Sequence, residues 1–326
     1  MISADRIFSL SSPQEFDRIC LETFRFQAQH CGIYARYIEL LGLHPNSVTD
    51  PHQIPFLPIE FFKHHRITST AVIPQIIFRS SGTTGTLQST HHVADVEIYE
   101  RSFRTAFGRF YGDPGDWTIL ALLPSYSERE GSSLIYMVDD LIRESRNPLS
   151  GYFLYNHFNL WNRLQQLKAN GKKTLLIGVT YALLDFVENF RIDFPELVVM
   201  ETGGMKGRRR EMIREEVHEQ LCEGFNVATI HSEYGMTELL SQAYSDGNGR
   251  FRCPPWMKII IRDTNDPFSI LSAGLTGGIN VIDLANLYSC SFIATQDLGK
   301  VGCDNGFEVL GRFDQSDIRG CNLLVQ

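Results

Sequence analysis

This chain lacks the marks of several large protein classes. No apolar run approaches the ~20 residues that a membrane-spanning helix needs. The first ten residues carry Asp5 and Arg6 where a secretory signal would be apolar, so a cytoplasmic protein is expected. Lys and Arg number 30 against 38 Asp and Glu, a net charge of −8. That balance argues against nucleic acid as a partner, because neutralising a phosphate backbone takes a basic surface. The one dense basic run, Arg208-Arg209-Arg210, is followed by Glu211, Glu215 and Glu216 and reads as a solvated helical face. Seven cysteines, odd in number and scattered, form no C-x-x-C pair and no zinc spacing, so most are expected to be small core residues. There is no G-x-x-x-x-G-K-[ST] loop, no internal repeat and no low-complexity stretch.

What the chain does have is a run of hydroxyls and glycines behind an apolar stretch. Ala71 to Phe78 is strand-like, and Arg79-Ser80-Ser81-Gly82-Thr83-Thr84-Gly85 follows. Glycines let successive backbone N–H groups turn toward one anion, and four hydroxyls add short donors, a composition suited to phosphates. A polar turn after a strand is the plainer reading of such a hexamer.

The first fifty residues read as helices, with Pro13 and Glu15 opening one that carries Phe16, Ile19, Cys20, Thr23, Phe24 and Gln27 at helical spacing. Residues 51–58 are too proline-rich for a continuous helix. Helices are then expected near 96–110, 131–144, 159–169, 181–190 and 206–222. Strands are expected at 117–123, 151–155, 174–178, 197–201 and 227–231. The alternation implies an α/β fold with a largely parallel sheet. After Gly247 short β-like runs take over, at 257–261, 278–283, 291–294 and 307–310. Residues 1–246 therefore read as an α/β core, and 247–326 as a β-rich part, a small barrel or second sheet, with a tail.

Further short signals follow the first loop in order: Glu201-Thr202-Gly203-Gly204-Met205, Tyr234-Gly235-Met236-Thr237-Glu238, Thr295-Gln296-Asp297-Leu298-Gly299 and Gly311-Arg312-Phe313-Asp314. The set resembles the adenylate-forming superfamily of acyl-CoA synthetases, luciferases and peptide-synthetase adenylation domains. The last segment, which ends Ile318-Arg319-Gly320-Cys321, looks like the end of LuxE-type acyl-protein synthetases. In that family a cysteine near the C-terminus carries the acyl group as a thioester.

The resemblance implies ATP and Mg²⁺ as cofactors and a role for each motif. Ser80, Ser81, Gly82, Thr83, Thr84 and Gly85 would hold the β- and γ-phosphates. Gly203 and Gly204 would pass along the adenine edge, and Tyr234, with Gly235 beside it, would stack on the ring. Thr237 would donate to the α-phosphate, Glu238 would hold Mg²⁺, Asp297 would accept from the ribose hydroxyls, and Arg312 would bind ribose or phosphate. Asp314 would sit at a hinge. Outside its motif, Tyr234 reads as a core aromatic. Cys321 would be the nucleophile that takes the acyl group from the adenylate. By spacing alone it reads as a small residue packing with Leu323 and Leu324.

Two departures from the larger superfamily matter. Thr86-Leu87-Gln88-Ser89 replaces the P-K-G that usually follows the loop, and the chain stops soon after Asp314. The separate domain that bears the adenylation lysine is therefore expected to be absent, which leaves that cation unassigned between residues such as Lys206 and Lys300. The expected activity is adenylation of a carboxylic acid, a fatty acid in the resemblance, then acyl transfer through Cys321 to a reductase or carrier protein. A carboxylate–CoA ligase and a degenerate adenylation scaffold are the competing readings. His231, just before the Tyr234 motif, could face the acyl or adenylate site but reads first as a strand-end core residue, and His64-His65 and His91-His92 read as surface or loop residues.

Overall fold

The structure is a computed structural model that describes residues 2–81, 87–124, 130–203 and 212–313. Three helices open it: α1 (Ala4–Phe8), α2 (Pro13–His30) and α3 (Gly32–Leu40). The Ser12 side chain caps α2 with Pro13 at its first turn, and the expected stripe from Phe16 to Gln27 is its buried face. A short strand β1 (Leu57–Pro58) and a single-turn helix α4 (Phe61–His64) follow. Next come β2 (Ile76–Arg79) and β3 (Thr90–Val93), antiparallel, with Arg79 opposite Thr90.

The central region alternates: α5 (Val96–Tyr111), β4 (Thr118–Leu122), α6 (Ser133–Ser145), β5 (Gly151–Tyr152), α7 (His157–Ala169), β6 (Thr174–Val179), α8 (Thr180–Asn189), β7 (Val198–Thr202), α9 (Arg214–Phe225), β8 (His231–Tyr234) and β9 (Ala243–Ser245). Its sheet runs β5-β4-β6-β7-β8-β9, parallel except for the edge strand β9. Every residue of β4 and β6 is buried, which is why these strands read as unbroken apolar runs rather than alternating ones. Helix α6 packs on β4, and α8 on β6 and β7.

The remainder is antiparallel: β10 (Arg250–Phe251), β11 (Met257–Arg262), β12 (Gly277–Asp283), β13 (Phe292–Val301) and β14 (Phe307–Arg312), in the order β10-β14-β13-β12-β11. β1 from the N-terminal region joins this sheet alongside β13. The β-rich part is thus an open second sheet, and the whole is the expected α/β architecture.

Several elements differ from expectation. The strand expected at 291–294 runs from Phe292 to Val301, so Asp297 lies within it, and the one expected at 151–155 spans only Gly151–Tyr152. The strand expected from Ala71 begins only at Ile76. The strand expected at 227–231 begins only at His231 and runs to Tyr234. There α9 closes with Asn226 in the left-handed region (φ 50°), and Val227 N–H turns back to the Cys222 carbonyl, so pairing with β7 starts only at His231. The helix expected over 206–222 is described from Arg214 and runs to Phe225. Among the described residues no helix is long and apolar enough to cross a membrane.

Candidate nucleotide site

The hydroxyl-and-glycine loop is pinched at its base. Ser80 N–H donates to the Ser89 carbonyl at 3.1 Å, and Ser89 N–H donates to Ser80 Oγ at 2.9 Å. Ser81 stands exposed just beyond this neck. Gly82, Thr83, Thr84 and Gly85 lie outside the described residues, as do Gly204, Asp314 and Cys321.

Glu238 sits beside the neck with 5 % of its surface exposed. Burial pushes its carboxyl above the usual range, while the Ser89 hydroxyl and the positive charges of Arg312 and Lys63 pull the other way. The turn that carries Glu238 is held from behind by three buried side chains. His91 Nδ1 donates to the Thr237 carbonyl at 2.9 Å, and Asn286 Nδ2 donates to the Glu238 carbonyl at 2.7 Å. Asp283 accepts from Leu240 N–H at 2.7 Å and from Ser241 Oγ at 2.5 Å. Thr237 itself is half-buried.

His91 corrects the sequence reading, which put it on the surface. It lies fully buried in β3, its ring edge-on to Phe62 at 5.7 Å, because the alternation of the strand turns it inward and leaves His92 only partly covered. Burial pushes its pKa down to about 4, so the ring is neutral in ordinary buffers, with its proton on the nitrogen that faces Thr237.

A second cluster joins β8 to the antiparallel sheet. Tyr234 Oη donates to Asp297 Oδ2 at 2.8 Å, and Arg312 Nε donates to Asp297 Oδ1 at 3.0 Å. Asp297 and Arg312 are direct cross-strand partners on β13 and β14, so the register sets this pair. Tyr234 is buried against Phe251 and Phe307, and its described polar contact is with Asp297. Burial, then the Asp297 charge, raises its hydroxyl pKa well above the ordinary value. The Arg312 side chain is 74 % exposed, and its other edge is open to a ligand.

Behind Asp297, Arg262 is buried and donates to the Ile279 and Thr295 carbonyls and to Asn280 Oδ1. A side chain at Gly278 would strike its guanidinium, so glycine there is a condition of this arrangement. Gly203 follows β7 with φ 75°, and Gly235 leaves room for the Glu233 carboxylate, which a Cβ would strike.

Ser80, Ser81, Thr237, Glu238, Tyr234, Asp297 and Arg312 therefore belong to one connected region, and Gly203 and Gly235 follow the C-terminal ends of β7 and β8. Crevices at such strand ends are where open α/β sheets take ligands. His231 lies at the other end of β8. Its Nδ1 meets Tyr111 Oη at 3.2 Å, on the wall of a separate cavity of about 370 Å³ with Trp117, Tyr244 and Lys173. Lys300 is paired with Glu308 at 3.1 Å, and Lys206 lies outside the described residues. The sequence reading missed His91, Asn286 and Asp283. None carries a local motif, and each acts on a turn more than 40 residues away.

No family model matches the chain, and no curated protein matches it. Solved structures do. ATP-bound MatB from Rhodopseudomonas palustris aligns with a TM-score of 0.55 at 18% identity over 72% of this chain and 47% of its own. The chain thus spans about half the length of MatB. 2-Hydroxyisobutyryl-CoA ligase in complex with 2-HIB-AMP and CoA aligns with a TM-score of 0.70 at 15% identity, over 97% of this chain and 73% of the ligase. The same ligase in an open conformation gives 0.69 at 15% identity, over 94% and 72%. The chain has the fold of 2-hydroxyisobutyryl-CoA ligase and of MatB.

Proposed function

We propose that this chain is an adenylate-forming ligase, which uses ATP to join a carboxylic acid to AMP and then passes the acyl group to a thiol. One observation carries the reading. The loop neck at Ser80 and Ser89, the Glu238 carboxylate and the Asp297–Arg312 pair converge, in a fold whose solved examples hold ATP or an acyl-AMP. A carboxylate oxygen attacks the α-phosphorus, the bond to the β-phosphate oxygen breaks, and pyrophosphate leaves with the electron pair. Two anions must be held together for this, so positioning and neutralisation make up most of the catalysis.

In this reading Ser80 to Gly85 hold the polyphosphate and Thr237 donates to the α-phosphate. Asp297 accepts from the ribose, while Tyr234 Oη fixes the carboxylate's orientation and borders the adenine with Gly203, Gly204 and Gly235. Arg312 spans Asp297 and the ligand. Glu238 suits Mg²⁺: burial disfavours its ionised form, a nearby cation restores it, and Ser89 adds a second hard oxygen. When bound, the ion supplies positive charge to the phosphate oxygens.

The finer reading is an acyl-protein synthetase acting on a fatty acid. Cys321, in the tail of the 247–326 part, would hold the thioester before a reductase or carrier takes it. A carboxylate–CoA ligase is the alternative, favoured by the CoA bound in the 2-hydroxyisobutyryl-CoA ligase structures. ATP–pyrophosphate exchange driven by a panel of aliphatic and aromatic acids tests the first step, and exchange with none of them leaves a binding scaffold. Intact mass after ATP and the active acid tests the second. A Cys321→Ser variant with undiminished CoA-ligating activity removes the acyl-enzyme.

A further inference from the structure

We propose that Lys63 is a catalytic residue of the adenylation step, its ammonium contacting the ATP polyphosphate opposite Glu238; this rests on the reading above. The segment that leads to Lys63 is tied to all parts of the site. β1 pairs with β13, Pro58 opposite Ala294, and Ile59 N–H donates to the Ala294 carbonyl at 3.0 Å, three residues before Asp297. Thr90 Oγ1, just beyond the loop neck, donates to the Phe62 carbonyl at 3.4 Å. Phe62 is fully buried against His91, the residue that holds the Thr237 carbonyl. Lys63 is the next residue, so its backbone is fixed by the Asp297 strand, the strand after the loop and, through His91, the Glu238 turn.

The side chain placed there is half-buried, and it makes no hydrogen bond or ion pair with any other described residue. Its charge acts on the Glu238 carboxylate through space, with no ion pair between the two. Of the other cations around the site, Arg262 donates to carbonyl and amide oxygens, Lys300 holds Glu308, and Arg312 holds Asp297 through Nε while its other edge stays open to a ligand. A half-covered ammonium with no ion-pair partner among the described residues is placed to pair with an arriving anion. The need is real in a chain of net charge −8, which otherwise repels a polyphosphate. Lys63 stabilises charge on the phosphates as the α-phosphorus–oxygen bond to pyrophosphate breaks.

The test compares the wild-type protein with Lys63→Gln, Lys63→Met and Lys63→Arg, by calorimetric titration with Mg-ATP and with AMP and by pyrophosphate exchange. AMP lacks the phosphates assigned to Lys63. The Gln and Met variants are expected to lose about 10- to 100-fold in ATP affinity, the worth of one charge-assisted hydrogen bond, with AMP affinity unchanged. Their exchange rate is expected to fall by about 100-fold or more, and arginine to restore part of it. Unchanged ATP affinity and exchange in the Gln and Met variants overturns the proposal, and so does an equal loss for ATP and AMP, which marks a structural role. A wild-type protein that binds ATP but exchanges with no acid overturns the function proposed above. One that binds neither nucleotide overturns both.

Discussion

Asp283 gives a prediction whose sign and size follow from its surroundings. It ends β12 with no exposed surface and, among the described residues, no ion pair. Hydrogen bonds reach it from Leu240 N–H, Ser241 Oγ and Ala285 N–H. Burial nevertheless pushes its pKa from 3.8 up to about 6. The folded chain therefore holds this proton more tightly than the unfolded chain does. The stabilisation is complete below about pH 4 and is lost as the pH rises through about 6, roughly 3 kcal/mol in all. Asp283→Asn is neutral at every pH and removes this titration. Denaturant unfolding of both proteins between pH 4 and 7.5 is expected to give a wild-type-minus-variant stability difference that declines by about 3 kcal/mol toward neutral pH. Trp256 Nε1 donates to Ser241 Oγ at 3.1 Å, so tryptophan fluorescence of the folded wild type should titrate near pH 6 and that of the variant should not. A flat difference, or one that grows with pH, would falsify the argument, since it means the hydrogen bonds at Asp283 outweigh its burial.

Three further outcomes are expected. Arg312→Gln should weaken AMP binding by about tenfold or more in titration, yet leave the melting temperature almost unchanged, because a guanidinium so exposed adds little to stability. Glu238→Gln should abolish Mg²⁺-dependent pyrophosphate exchange while leaving the melting temperature equal or higher, since it removes a charge that burial disfavours; a large drop in melting temperature would instead mark a structural carboxylate. Gly278→Ala should cost about 1–3 kcal/mol in denaturant unfolding, because its Cβ meets the Arg262 guanidinium; wild-type stability would mean that Arg262 moves aside freely.

Much of the architecture was legible in the sequence because the central strands are buried on both faces. Thr118 to Leu122 and Thr174 to Val179 need apolar residues at every position, a pattern that survives without knowledge of neighbours. The helices between them carry their own caps, Ser132 and Asn156. The start of β8 was misread, because pairing with β7 decides it and the apolar residues from Val227 to Ile230 do not.

By itself the sequence determined the local chemistry: a hydroxyl-and-glycine loop, and an acidic residue in each of two late motifs. Tertiary structure alone decided which groups act together. The pairing of β13 with β14 sets Arg312 on Asp297, the inward turn of β3 brings His91 under Thr237, and the β1–β13 contact ties the Lys63 segment to the same site. These partners are separated by 15 residues in the first case and 146 in the second. A residue's type is written in the chain, but its electrostatic neighbours depend on strand register and burial, and those exist only once the sheets have closed around one another.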